Sequence, residues 1–313
     1  MSFRSTLEAI SLLDSAQVSG KEVIEYLRCL GLPHGEFATI RGDSGCTDFI
    51  KVVIPGSHGK SSGGDAPTLG VIGRLGGIGA RPEMIGLVSD GDGAVSALAV
   101  AIKLAHMAEK GDVLPGDVIV TTHVCPNAPT QPHDPVPFMG SPVNMEIMNR
   151  YEVDSGMDAI LSIDTTKGNR VINHKGFAIS PTVKEGYILR ISEDLLEVMS
   201  IVTGKLPVTF PVTIQDITPY GNGVYHLNSI LQPATATSAP VVGVAITTET
   251  AVPGCATGAS HVVDIEQVVR FSIEVAKGFG ARKYSLFDEE EFETLVRLYG
   301  TLEHFQTPGA IER

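Results

Sequence analysis

Short apolar runs recur along the chain at residues 69–72, 118–120, 159–163 and 241–246, and stretches with helical spacing separate them. Each run is too short for a helix and is bounded by turn residues. That is the pattern of strands buried on both faces, as a parallel sheet requires. Between the runs, Val95, Leu98, Ile102 and Ala105 place an apolar stripe on a helix over 94–110, which Gly111 stops. A second stripe, Ile265, Val268, Val269 and Ile273, marks a helix over 263–277. Strands alternating with helices predict an α/β fold: a mostly parallel central sheet flanked by helices on both faces.

The remaining segments fit one α/β domain over residues 1–313. Residues 6–30 read as two short helices, the second capped by Ser19. Residues 49–54 are strand-like, 55–67 form a Gly- and Ser-rich loop, and 85–88 resume strand character. Further on come an extended run over 188–191, a helix over 194–203, a strand-like 208–217, a helix from near Tyr225 and a last helix over 288–299.

Charge narrows the partners. A net charge of −13 and a pI near 5.1 exclude nucleic acid and anionic membranes, which need clustered Lys and Arg. The longest apolar stretch, 94–108, is interrupted by Lys103 and His106 and is too short to span a bilayer. The four cysteines, Cys29, Cys46, Cys125 and Cys255, are far apart, and no secretory leader is expected. Reduced thiols in a cytoplasmic protein are expected. A small-molecule or peptide ligand and a homo-oligomeric assembly complete the expectation.

Open parallel sheets bind ligands beyond the carboxyl ends of their strands. Three groups fall there. Ser89-Asp90-Gly91-Asp92-Gly93 opens the helix over 94–110, His123 and Cys125 lie just past the strand over 117–122, and Asp164 ends the strand at 159–163. Asp90 and Asp92 flank a glycine, so one can cap the helix while the other faces a cleft. Gly73, Gly76, Gly77 and Gly79 lack the strand, turn and helix order of a dinucleotide fingerprint. Arg74 and Arg81 are candidates for holding a carboxylate, and Cys255 has His261 nearby in sequence.

The order of these segments resembles the co-catalytic zinc aminopeptidase and deacylase superfamily over most of the chain. Ser19-Gly20-Lys21-Glu22-Val23 resembles its amino-terminal helix entry, and Asp90-Gly91-Asp92-Gly93-Ala94-Val95 resembles its metal-bridging turn. The resemblance implies a zinc-peptidase-like fold with Asp90 at the metal-bridging position and Asp164 at the later carboxylate ligand; His123, Cys125 or His261 would complete a set for zinc or another divalent metal, or for a polar small ligand. It also implies amide or peptide hydrolysis by a metal-bound water. Arg74-Leu75-Gly76 stands where that superfamily has His-x-Asp, and Thr122-His123-Val124-Cys125 stands where it has paired glutamates. The site is therefore expected to be remodelled, with Arg74, Arg81, Asp92 and Cys125 around the ligand. Two readings stay open: a metal-dependent hydrolase with a non-standard ligand set, and a non-catalytic protein that binds a carboxylate or peptide.

Overall fold

The computed structural model describes residues 1–15, 17–74, 87–132, 138–169, 171–212, 224, 227–250 and 260–306. In chain order its elements are α1 (Ser2–Leu13), α2 (Gly20–Cys29), β1 (Gly35–Gly42), β2 (Gly45–Ile54), β3 (Leu69–Gly73), α3 (Asp92–Ala108) and β4 (Val118–Val124). Then come β5 (Thr130–Gln131), β6 (Phe138–Met139), α4 (Met145–Glu152), β7 (Ala159–Thr165), β8 (Gly176–Ile179), β9 (Val183–Lys184) and β10 (Tyr187–Ile188). The last are α5 (Glu193–Thr203), β11 (Val241–Thr247), α6 (Val262–Gly280) and α7 (Glu289–Tyr299).

Nine strands form one sheet, in the order β1-β2-β4-β3-β7-β11-β9-β10 with β8 also paired to β11. The α/β class holds, but the sheet is mixed rather than mostly parallel. Only the four central strands, β4, β3, β7 and β11, run parallel to one another. β1 and β2 form a hairpin whose inner strand meets β4 antiparallel, and β8 and β9 return antiparallel onto β11. A tight turn accounts for the β1–β2 hairpin alone, because parallel neighbours need a long crossover connection and a hairpin does not.

Alternation along the central strands separates two cores. Val71, Val120, Leu161 and Val244 face a layer built from α1, α3, α5 and α6. Ile72, Ile119, Ile160 and Ala245 face the other way, towards a 3-10 helix at Ser229–Thr235 and α4. Helices therefore cover both faces, as expected. α3 lies deepest: almost every residue is buried, and its alanines let α1 and α6 approach closely.

Local chemistry accounts for the helix starts. Ser19 accepts from the Glu22 N–H while the Glu22 carboxylate accepts from the Ser19 N–H, a reciprocal cap for α2. Asn144, Ser192 and Asp288 cap α4, α5 and α7 in the simpler way. α3 behaves differently: its entry is a single 3-10 turn, Ser89–Gly91, without a side-chain cap. Asp92 is consequently its first helical residue and its carboxylate remains available for tertiary contacts. No helix among the described residues is long and apolar enough to cross a membrane.

Candidate functional site

Polar groups gather at the carboxyl edge of the parallel strands, in two clusters that lie on opposite faces of the sheet. Gly93 sets the spacing between them. A Cβ there would fall 2.4 Å from the Arg74 carbonyl oxygen and 2.7 Å from that of Ile163, so the start of α3 rests directly on the ends of β3 and β7. The Arg74 N–H donates to the same Ile163 carbonyl at 2.7 Å.

The first cluster lies on the α4 side. His123 and Asp164, each one step before the end of its strand, point to that face because side chains alternate along β4 and β7. The buried Glu152, at the end of α4, contacts His123 Nδ1 at 2.7 Å through one oxygen and Arg74 Nε at 3.2 Å through the other. The Arg74 guanidinium also donates to Asn149 Oδ1 and to the Met145 sulfur. Asp164 is buried, and burial pushes its carboxyl up to about 7 against the lowering effects of the Thr165 N–H and the Arg74 charge.

The second cluster lies where α3 and α6 begin. Lys167 and Asp92, both almost fully buried, form an ion pair with Nζ 2.7 Å from Oδ2. The other Asp92 oxygen accepts a hydrogen bond from the Ser260 hydroxyl. Burial raises the Asp92 carboxyl above its usual range, while Lys167, Ser260 and the His261 charge act to lower it. Lys167 has φ +53°, an unusual backbone for a side-chain-bearing residue, and is held to β11 from both ends. Its N–H donates to the Ile246 carbonyl at 3.0 Å, and its own carbonyl accepts from the Thr247 hydroxyl at 3.2 Å.

This second cluster opens on a cavity of about 720 Å³ whose walls include Lys175, Thr248, Glu249, Ser260, His261 and Asp264. Asp264, three residues beyond the α6 cap His261, is 1 % exposed, and among the described residues neither carboxylate oxygen has a hydrogen-bond partner. The His261 ring stands beside it, with Nδ1 3.4 Å from Oδ2. Such buried acceptors are uncommon in folded proteins and call for a specific explanation.

The residues expected from sequence fall in different settings. Asp92 and His261 belong to the cavity cluster, and Arg74, His123 and Asp164 to the cluster on the opposite face. Asp90 is buried in the 3-10 turn before α3. Arg74 is 1 % exposed with its guanidinium engaged inside the protein, so it presents no face to a ligand. The Cys125 thiol donates to the Cys46 carbonyl at 3.3 Å, and burial raises its pKa to about 12, which leaves it inert. Arg81, Cys255 and the helix expected near Tyr225 lie outside the described residues.

A metal centre of the kind the resemblance implies does not fit these side chains. Among the described residues no group of three or more His, Cys, Asp or Glu is placed to hold an ion. Of the implied ligands, His123 and Asp164 lie in the cluster on the α4 side, His261 beside the cavity on the other face and Asp90 in the 3-10 turn before α3. Four residues of the two clusters, Glu152, Lys167, Ser260 and Asp264, were not candidates from sequence. The last left a readable trace: Asp264 shares a helical face with Val268 and Ser272, all three buried, so it is a carboxylate on the core stripe of α6.

Together these features define an α/β protein with a cavity at the carboxyl edge of its parallel strands, its walls carrying charged side chains, beside a buried lysine–aspartate pair. The family model described as "Protein of unknown function (DUF1177)" matches residues 38–309, and the chain belongs to that family. No curated protein matches it.

Proposed function

We propose that the cavity binds a small ligand bearing an ammonium group, an amino acid or a short peptide, with Asp264 as its counter-charge. The observation that carries this reading is the pair of Asp264 oxygens, buried in the cavity wall without a hydrogen-bond donor among the described residues. A buried acceptor left unsatisfied costs about 1–3 kcal/mol, and a bound ammonium supplies up to three donors and the opposite charge. Glu249 and Lys175 line the same cavity, and the Lys175 ammonium offers a counter-charge to a ligand carboxylate.

Titration calorimetry with glycine, alanine amide and glycylglycine tests the reading directly. Binding is expected for compounds with a free amine and is expected to be lost on N-acetylation. Asp264→Asn should weaken it by about tenfold or more, the usual cost of losing a charge-assisted hydrogen bond. Equal binding of acetylated and free amines, or no heat with any of them, would overturn it.

A further inference from the structure

We propose that Ser260 is the nucleophile of an acyl-transfer centre, with Asp92 as its general base and Lys167 as the residue that positions Asp92. The substrate class, an amide or ester whose acyl part carries an amine, rests on the ligand site proposed above; the nucleophile itself does not.

Three geometric observations support the assignment, and the electrostatics of Asp92 agree with them. Ser260 lines the cavity while its hydroxyl donates to a carboxylate that is wholly buried, the arrangement a serine needs in order to lose its proton on attack. The carboxylate is oriented from its other side by the Lys167 ammonium, held on a strained backbone that β11 fixes, giving a nucleophile, a base and a third group that orients the base. The first-turn N–H groups of Val262 and Val263, which have no acceptor within α6, stand at the same wall, where an oxyanion would form. Burial also raises the Asp92 carboxyl, which suits a group that must accept a proton.

The chemistry balances without a further reagent. The Ser260 Oγ–H proton passes to Asp92 as Oγ bonds to the carbonyl carbon, and the carbonyl electron pair moves onto oxygen. On collapse the C–N or C–O bond breaks, and the leaving amine or alcohol takes the proton from Asp92. A water then transfers a proton to Asp92 and attacks the acyl-serine, and Ser260 leaves with that proton, releasing the acid. Lys167 keeps its charge throughout.

Labelling of the full-length protein with a fluorophosphonate, followed by peptide mass spectrometry, is the test. The expected result is one adduct, on Ser260, absent in Ser260→Ala and slowed at least about tenfold by Asp92→Asn. Ser260→Ala removes a single hydroxyl from a half-buried side chain, so its fold, checked by circular dichroism, should survive. The role of Lys167 is read from the pH profile. Asp92 faces Lys167 from the segment after β7, and Ser260 and His261 from the start of α6, so Lys167→Met should move the onset of labelling to higher pH.

An unlabelled protein, or an adduct retained in Ser260→Ala, would overturn the proposal. The two readings fail separately. Amine binding that persists in Ser260→Ala without any labelling of wild type leaves the ligand site standing and removes the nucleophile. Labelling that amine ligands do not slow keeps the nucleophile and removes the role of Asp264.

Discussion

At the scale of single residues, Asp164 links the site to pH. Its folded pKa, raised by burial from 3.8 to about 7, means that the folded protein holds a proton the unfolded chain has already released. Stability from this group is therefore full below pH 3.8 and is lost progressively as the pH rises to about 7. Asparagine imitates the protonated acid and does not titrate. Asp164→Asn should match wild type in urea denaturation near pH 4 and exceed it above pH 7, by an amount on the order of a few kcal/mol. A variant whose stability runs parallel to wild type across that range would show that the carboxyl is not held neutral. The same face carries the Arg74–Glu152 pair, both members almost wholly buried. Removing one partner strands the other, so Glu152→Gln should cost about 3 kcal/mol or more in the same assay.

At the scale of elements, the contact of α3 with the ends of β3 and β7 is decisive, and two glycines separate its causes. Gly93→Ala drives a Cβ to within 2.4 Å of the Arg74 carbonyl, and backbone on both sides leaves no room for relief, so a loss of about 3 kcal/mol or more is expected. Gly111, past the other end of α3, has φ +79° and no atom within 4 Å of a built Cβ, so Gly111→Ala should cost only about 1 kcal/mol, from backbone strain alone. Equal losses from thermal or urea melts would contradict this account.

Elements of this kind differed in how far the sequence disclosed them. β3, β7 and β11 are continuous apolar runs and were legible as strands, and the helical stripes placed α3, α5, α6 and α7 to within a few residues. β1 was missed because an edge strand with a mostly exposed side buries too little to leave an apolar run, and α4 was missed because its eight residues bury only Met148, Asn149 and Glu152. The parallel direction of the central strands was legible from their continuous apolar runs and the helices between them, whereas the antiparallel course of β2, β8 and β9 was not, since a half-exposed or short strand reads the same both ways. At the site, the strand-end rule found Asp92, His123 and Asp164. Their partners Glu152, Lys167 and Ser260 come from segments with no motif, brought in by packing alone.

For the whole molecule, the sheet forms a wall between the two polar clusters, and its middle strands are the most deeply covered part of it. β3, β4, β7 and β11 are buried along their whole length, with cores on both faces, and each is paired on both of its sides. β1, at the sheet edge, pairs on one side only and is half-exposed or exposed over most of its length. Opening β1 thus uncovers little apolar surface, whereas opening β7 uncovers both cores at once. Native-state hydrogen exchange should rank accordingly: amides of Val71, Val120, Leu161 and Val244 exchange only through global unfolding, and those of β1 through a smaller, local opening. Because Asp92 and Lys167 are anchored to α3 and β11, the lysine–aspartate pair should share the slow class, and the cavity floor should stay formed while the sheet edge frays. Slow exchange in β1 equal to that of β7 would mean that the edge hairpin unfolds with the core, and the site would then open with it.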